Sequence, residues 1–332
     1  MPIASLTDKL IEWYQEHHRN LPWRNTKDPY AIWLSEIILQ QTRVDQGLPY
    51  FQRFIDTYPD IHALAEAPEE EVLRLWQGLG YYSRARNLMR TAKLISREMG
   101  GVFPTSAQEL RKLPGIGPYT AAAIASFAFQ ERVAVIDGNV LRVISRLYDL
   151  NESIDEPGGR RAVEALCNDL ILHASPDTFN QAIMELGALV CTPKARCGSC
   201  PLSEDCEAFR SGTVKERPVR SKNQKVKTLE LHYVLALDDS GRIALRKRPE
   251  KGIWANLHEF ILAEDLKEGF QVQDQYQITH LLTHRKLIMR FDRIHLPYDE
   301  LPKGYRWLER RSISEKAFPV PMLKALKFWK LN

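Results

Sequence analysis

The chain has 332 residues, 44% of them hydrophobic and 27% charged, which is the composition of a globular protein long enough to build two hydrophobic cores. It holds no apolar run of about eighteen residues, and its first ten already include Asp8 and Lys9, so neither a membrane span nor a secretory leader is expected. The net charge of +4 does not by itself call for nucleic acid, and four of the five cysteines crowd into residues 191–206, which points to a metal site in a reducing compartment rather than to disulfides.

Residues 5–18 carry Leu6, Leu10, Trp13 and Tyr14 at helical spacing, and Leu21-Pro22-Trp23-Arg24 breaks that helix. Asp28-Pro29 is a helix start, and the helix is expected to run from Tyr30 through Gln41. That helix is apolar nearly all round except for Glu36. An unpaired buried carboxylate is costly and escapes by a raised pKa, which would leave a protonated acid able to donate near neutral pH. A partner arginine, a nearby helix end or an exposed strip would satisfy Glu36 equally well.

From Tyr50 to Arg97 several helices are expected, with breaks at Pro59 and Pro68 and a glycine-marked turn at Gly78-Leu79-Gly80-Tyr81-Tyr82. The run Tyr81 to Arg86 mixes aromatic rings with cations, which suits contact with bases and phosphates, or a core pair beside a solvated face. In Leu113-Pro114-Gly115-Ile116-Gly117-Pro118-Tyr119, two glycines closed by a proline predict a tight turn between a helix ending near Leu113 and one spanning Tyr119–Phe129. Backbone N–H groups at such a turn can hold a phosphate, although an ordinary helix corner has the same pattern. After Asp137-Gly138-Asn139 the stripe Val140, Leu141, Val143, Ile144, Leu147, Tyr148 marks another helix, with Asp137 or Asn139 near its N-cap. A carboxylate there is oriented and held ionised.

Two further helices fill residues 160–190. Cys191, Cys197, Cys200 and Cys206 follow, and by spacing alone they could close around a structural zinc or a 4Fe-4S cluster. Cys167 reads as a small buried hydrophobe. Between Arg210 and Lys227 seven basic residues face one acid, Glu216, so a polyanionic partner would be met chiefly there. Beyond this segment strands are expected at 232–237, 242–247, 259–263, 281–296 and 305–308, the first two joined by the hairpin Asp238-Asp239-Ser240-Gly241, and Val320 to Trp329 reads as a closing helix. The predicted architecture is therefore an all-α domain over 1–209, a basic linker over 210–228 and a smaller α+β domain over 229–332.

Trp33-Leu34-Ser35-Glu36, Leu39-Gln40-Gln41-Thr42, Gly78 to Tyr82, Leu113 to Gly117, Ile136-Asp137-Gly138-Asn139 and the four cysteines together resemble the helix-hairpin-helix DNA glycosylases. Within them the similarity is to the MutY-type adenine DNA glycosylases. The resemblance implies a two-lobed helical domain with a 4Fe-4S cluster on Cys191, Cys197, Cys200 and Cys206, and a C-terminal domain similar to the Nudix hydrolases. It implies an enzyme that hydrolyses the N-glycosidic bond of adenine opposite 8-oxoguanine or guanine in duplex DNA, working as a monomer in the cytoplasm, at the nucleoid if bacterial.

By the same resemblance Glu36 protonates the adenine, Asp137 supports the charge left on the sugar, Tyr119 hydrogen-bonds near the pair and Asn139 orients a phosphate or water. Trp23, Arg24 and Gln181 line the pocket for the flipped base, Gln41 and Tyr81 wedge into the duplex, and Gly115 and Gly117 meet the DNA backbone. The family's lesion-reading Phe-Ser-His loop has Leu282-Thr283-His284 as its counterpart. The alternative is an endonuclease III-like bifunctional glycosylase/lyase acting on oxidised pyrimidines; its attacking lysine is replaced here by Tyr119, whose phenol cannot form a Schiff base. Two departures stand out. The first cysteine interval has five residues instead of the family's six, which shortens the loop carrying Lys194 and Arg196, and residues 225–332 lack the Glu-rich helix that binds magnesium in active Nudix enzymes.

Overall fold

A computed structural model describes residues 3–221, 227–267, 269–282 and 285–331. Among these residues no strand precedes residue 227. The helices are α1 (Ile3–His17), α2 (Pro29–Leu39), α3 (Val44–Thr57), α4 (Ile61–Glu66), α5 (Glu69–Leu75), α6 (Ser83–Glu98), α7 (Ala107–Leu110), α8 (Pro118–Phe129), α9 (Gly138–Leu147), α10 (Pro157–Leu170), α11 (Pro176–Leu189) and α12 (Glu207–Arg210). The strands are β1 (Lys227–Leu237), β2 (Ile243–Lys247), β3 (His258–Glu259), β4 (Ile261–Leu262), β5 (Val272–Leu282), β6 (Arg285–His295) and β7 (Arg306–Leu308), and α13 (Val320–Phe328) closes the chain.

The chain forms two compact units, one of residues 3–44, 60–62 and 91–221, the other of residues 45–59, 63–90 and 227–331. In the first, α1, α9 and α11 share a core that includes Leu10, Val140, Ile144, Phe179 and Leu186. The α2 helix, wholly buried at Trp33 and Leu34, packs on α8. Asp28 caps α2 as expected, its Oδ1 accepting the Tyr30 N–H at 3.0 Å. The helix stops at Leu39, two residues early, because Gln40 turns away and donates its amide to Thr120 Oγ1 at 3.1 Å. In the 113–119 turn, Gly115 takes a left-handed φ of 75°, whereas Gly117 is extended at −83° and serves as the N-cap of α8. Only Gly115 is required on conformational grounds.

The segment after α12 lies against this unit. Ile154 N–H donates to Val219 O at 3.1 Å, Arg220 pairs with Asp155, and buried Arg217 pairs with Asp149 at 2.8 Å. Arg217 is thus a structural cation rather than one offered to a polyanion, which narrows the expectation for the basic segment; Lys222 and Lys225 lie outside the described residues.

In the second unit the sheet order is β3-β2-β1-β6-β5, with β4 pairing β1 and β7 pairing β2. Strands β1 and β6 run parallel over their whole length, from Lys227↔Arg285 to Leu237↔His295. The expected hairpin joins β1 to β2: Asp238 Oδ1 accepts the N–H groups of Ser240 and Arg242, and Gly241 supplies the left-handed turn. One face buries Tyr233, Phe260, Met289, Phe291 and Phe318 under α13; the other buries Val234, Ala236, Ile261 and Ile294. Residues 281–296 were expected as one strand, but the strand β6 begins at Arg285, and β5 precedes it. As an end strand β5 is half in water, so its outward positions include Gln275, Gln277 and Thr279, which hides it from a search for apolar runs. Within this unit Tyr82 donates to Phe318 O at 3.2 Å and Arg86 to Ala255 O at 2.8 Å, tying α6 and the turn before it to the sheet side.

Candidate active site and cysteine loop

Glu36 sits in the buried face of α2, 6% exposed, with Tyr119 donating to its Oε2 at 2.6 Å. Burial pushes the Glu36 carboxyl up to about 7; the Tyr119 hydrogen bond and Arg24 oppose the rise, and the Asp137 charge adds to it. Tyr119 occupies the first turn of α8, where the Gly115–Pro118 turn delivers it. Burial, then the charges of Glu36 and Asp137, push its phenol far above the ordinary range, so it remains a neutral donor.

Asp137 is the N-cap of α9. Its Oδ1 accepts the Val140 N–H at 2.7 Å and its Oδ2 accepts the Asn139 amide at 2.7 Å. Burial raises this carboxyl as well, but the Val140 and Asn139 bonds and the Arg142 charge favour its ionised form. The two acids are thus electrostatically coupled but differently supported: Glu36 receives the Tyr119 phenol, Asp137 a helix-start N–H, an amide and the charge of Arg142. The approach to Asp137 is fixed by buried Asn180 of α11, which accepts from Val135 N–H at 3.0 Å and donates to Val133 O at 2.9 Å.

Trp23 and Arg24 lie in a short 3-10 turn, Pro22–Arg24, with Trp23 buried. Arg24 donates to Arg19 O at 3.0 Å and to Glu185 Oε2 at 2.7 Å, and lies over the Tyr14 ring. Tyr14 in turn donates to Gln181 Oε1 at 2.9 Å. The structure thus brings Glu36, Tyr119, Asp137, Asn139, Arg24 and Gln181 into one bonded or electrostatically coupled set. Sequence reasoning missed Tyr14, Arg19, Glu185 and Arg142. The available signal was spacing, since Glu185 is one helical turn beyond Gln181 and Arg142 one turn beyond Gly138.

Gln41 and Tyr81 belong to different units, and each is a non-glycine residue in left-handed backbone, at φ 59° and 46°. Such conformations cost about 1 kcal/mol or more and persist where surrounding structure imposes them. Tyr81 is about half exposed, with Arg84 beside its ring. Leu282 ends β5, half-buried, in a cleft shared with Tyr81, Tyr82 and Trp254. Thr283 and His284 lie outside the described residues.

Cys191, Cys197, Cys200 and Cys206 line a single cavity together with Arg146 and Phe209. Arg146 of α9, itself buried, donates to Thr192 O at 2.7 Å and Cys191 Sγ at 3.4 Å and so shapes the loop. Burial pushes the Cys200 thiol up to about 11, so its thiolate needs a cation beside it. Among the described residues no three His, Cys, Asp or Glu side chains converge closely enough for one metal ion. Four thiols around one cavity have the chemistry to hold a zinc ion or an iron–sulfur cluster. Arg142 connects this loop to the acid pair: its Nε donates to Cys191 O at 2.7 Å and its Nη2 to Asn139 Oδ1 at 2.8 Å.

Among the described residues no helix is long and apolar enough to cross a membrane. Residues 34–169 match the family of HhH-GPD superfamily base excision DNA repair proteins, and residues 232–328 match the NUDIX domain. The chain is 36% identical to an adenine DNA glycosylase of Buchnera aphidicola (Baizongia pistaciae), over 79% of this chain and 76% of that one. It is 30% identical to another from Buchnera aphidicola (Acyrthosiphon pisum), over 97% of both chains, and 30% identical to the Homo sapiens adenine DNA glycosylase, over 98% of this chain and 74% of that one. A solved thermostable thymine-DNA glycosylase superposes with a TM-score of 0.58 at 27% identity, covering 63% of this chain and 97% of its own. Endonuclease III from a non-covalent DNA complex shares the fold, at a TM-score of 0.54 and 22% identity over 63% of this chain and 96% of its own.

Proposed function

Because this chain belongs to the adenine DNA glycosylases and is a base-excision repair enzyme, we propose that it removes adenine paired with 8-oxoguanine or guanine in duplex DNA, without cutting the strand. The observation that carries this reading is the Glu36–Tyr119–Asp137 arrangement. Loss of adenine from deoxyribose needs a proton on the leaving purine and support for the positive charge left on the sugar. Glu36, held protonated near neutral pH by burial, donates to N7. Asp137, with its cap and Asn139 amide, keeps its charge toward the sugar, as an electrostatic partner or through a transient covalent bond, until a water molecule adds at C1′, loses its proton and completes the hydrolysis.

The adenine reaches this pair by leaving the base stack, which costs a few kcal/mol and least at a mispair. Arg24, Gln181 and Trp23 receive it; Gln41 and Tyr81 enter the duplex; Gly115 and Gly117 meet a phosphate; Leu282, with Thr283 and His284, reads the opposite base. Tyr119 offers no amine to the sugar, so base release is not followed by lyase chemistry. Cys191, Cys197, Cys200 and Cys206 hold a 4Fe-4S cluster, which when bound cross-links the loop at four points. The protein works as a monomer inside the cell, where a reducing compartment suits cysteines that form no disulfide.

The test is a panel of duplexes differing in one pair, with adenine opposite 8-oxoguanine, guanine or thymine, and an oxidised pyrimidine opposite guanine. Adenine release from the first two alone supports the reading, and release of the pyrimidine in preference to adenine rejects it.

A further inference from the structure

Outside the Glu36–Asp137 pair, the first unit buries one more carboxylate with unusually complete bonding. Glu185 of α11 is 1% exposed and accepts four N–H groups: the Arg19 backbone at 2.9 Å, Arg19 Nε at 2.8 Å, Arg19 Nη2 at 2.7 Å and Arg24 Nη2 at 2.7 Å. Two guanidinium groups thus share one anion, and one of them, Arg24, acts electrostatically on Glu36. A bidentate Arg–carboxylate contact fixes both orientation and distance.

We propose that Glu185 is a positioning residue for base release: it anchors Arg24 and partly neutralises it, setting how strongly a cation acts on the Glu36 pocket. The proposal rests on the reading of Glu36 as the proton donor. Glu36 faces Tyr119 from α8, Asp137 at the start of α9 and Arg24 from the turn after α1; Glu185 faces Arg19 and Arg24, with Tyr14 of α1 beneath Arg24. Loss of the Glu185 charge leaves Arg24 uncompensated. Its stronger field then favours ionised Glu36, and a donor that ionises sooner loses activity at lower pH.

The experiment measures single-turnover release of adenine opposite 8-oxoguanine by the full chain, across roughly pH 5 to 9. For Glu185→Gln the alkaline limb should move to lower pH, with a rate loss of about tenfold or more above neutrality, a smaller loss at acid pH and unchanged duplex affinity. Adding Arg24→Gln to that variant should return the limb toward its original pH even though the rate is lower. Glu185→Asp keeps the charge on a shorter arm, so it should retain the original limb with a reduced rate, and it serves where Glu185→Gln does not fold. An unmoved limb in Glu185→Gln, or an unchanged rate in Glu185→Asp, overturns the proposal. Absence of adenine release by the unaltered protein would instead reject the functional reading beneath it.

Discussion

Tyr119 donates to Glu36 at 2.6 Å, and that bond opposes the burial that lifts the carboxyl toward neutrality. Replacing Tyr119 with Phe removes the opposition, so Glu36 should titrate higher and base release should persist to more alkaline pH. A pH–rate profile checks this, and a limb that moves down would contradict it.

Glu36 should also cost stability. Its pKa rises on folding from 4.5 to about 7, so the folded protein binds the proton more tightly. The resulting stabilisation is full below pH 4.5 and is lost as pH rises through about 7. A Glu36→Gln variant should therefore gain on the unaltered protein across that window, reaching about 3 kcal/mol above it, while losing base release and keeping duplex binding. Urea unfolding at pH 5 and pH 8 measures the difference; equal gains at both would contradict a raised pKa.

Gly187 of α11 lets the start of α9 approach closely. A Cβ there would lie 2.6 Å from Asn139 Cβ and 3.2 Å from its backbone. Gly187→Ala should displace the Asp137–Asn139 turn, costing about 1–3 kcal/mol of stability and a much larger share of activity. Single-turnover rates compared with urea midpoints separate the two losses.

Much of this site was legible in the chain itself. A carboxylate in an otherwise apolar helix pointed to Glu36, and Asp-Gly-Asn before a helical stripe pointed to the cap at Asp137. The supporting charges were not legible, because Arg142, Arg146 and Glu185 look like ordinary solvated residues until folding sets the two α9 arginines on the Cys191 loop and buries Glu185 of α11 against Arg19 and Arg24. In the sheet, β1 and β2 announced themselves by a turn motif, whereas β5 carries polar residues on its wet face and was missed. Gln41 was assigned to the end of α2, yet it lies past the break in left-handed backbone, a consequence of the long-range Gln40–Thr120 bond.

Tyr119→Lys places an amine where the lyases of this superfamily have one. It should make part of the adenine-releasing reaction trappable by borohydride as a protein–DNA adduct, and the unaltered protein should form none. Adduct formation by the unaltered protein would remove the monofunctional assignment.

The cysteine loop makes a separate demand. Purified protein should contain iron and acid-labile sulfide in equal amounts, and Cys200→Ser should lower both and destabilise the loop around Arg146. A colourless protein carrying one zinc would contradict the cluster reading.

The central claim is that a neutral Glu36 and a charged Asp137 act together on one extruded purine. It is tested most directly on a duplex with a single adenine opposite 8-oxoguanine, with strand breaks counted before and after alkali. The account predicts breaks only after alkali and none with Asp137→Asn. Equal breaks without alkali, or undiminished breaks with Asp137→Asn, would contradict it.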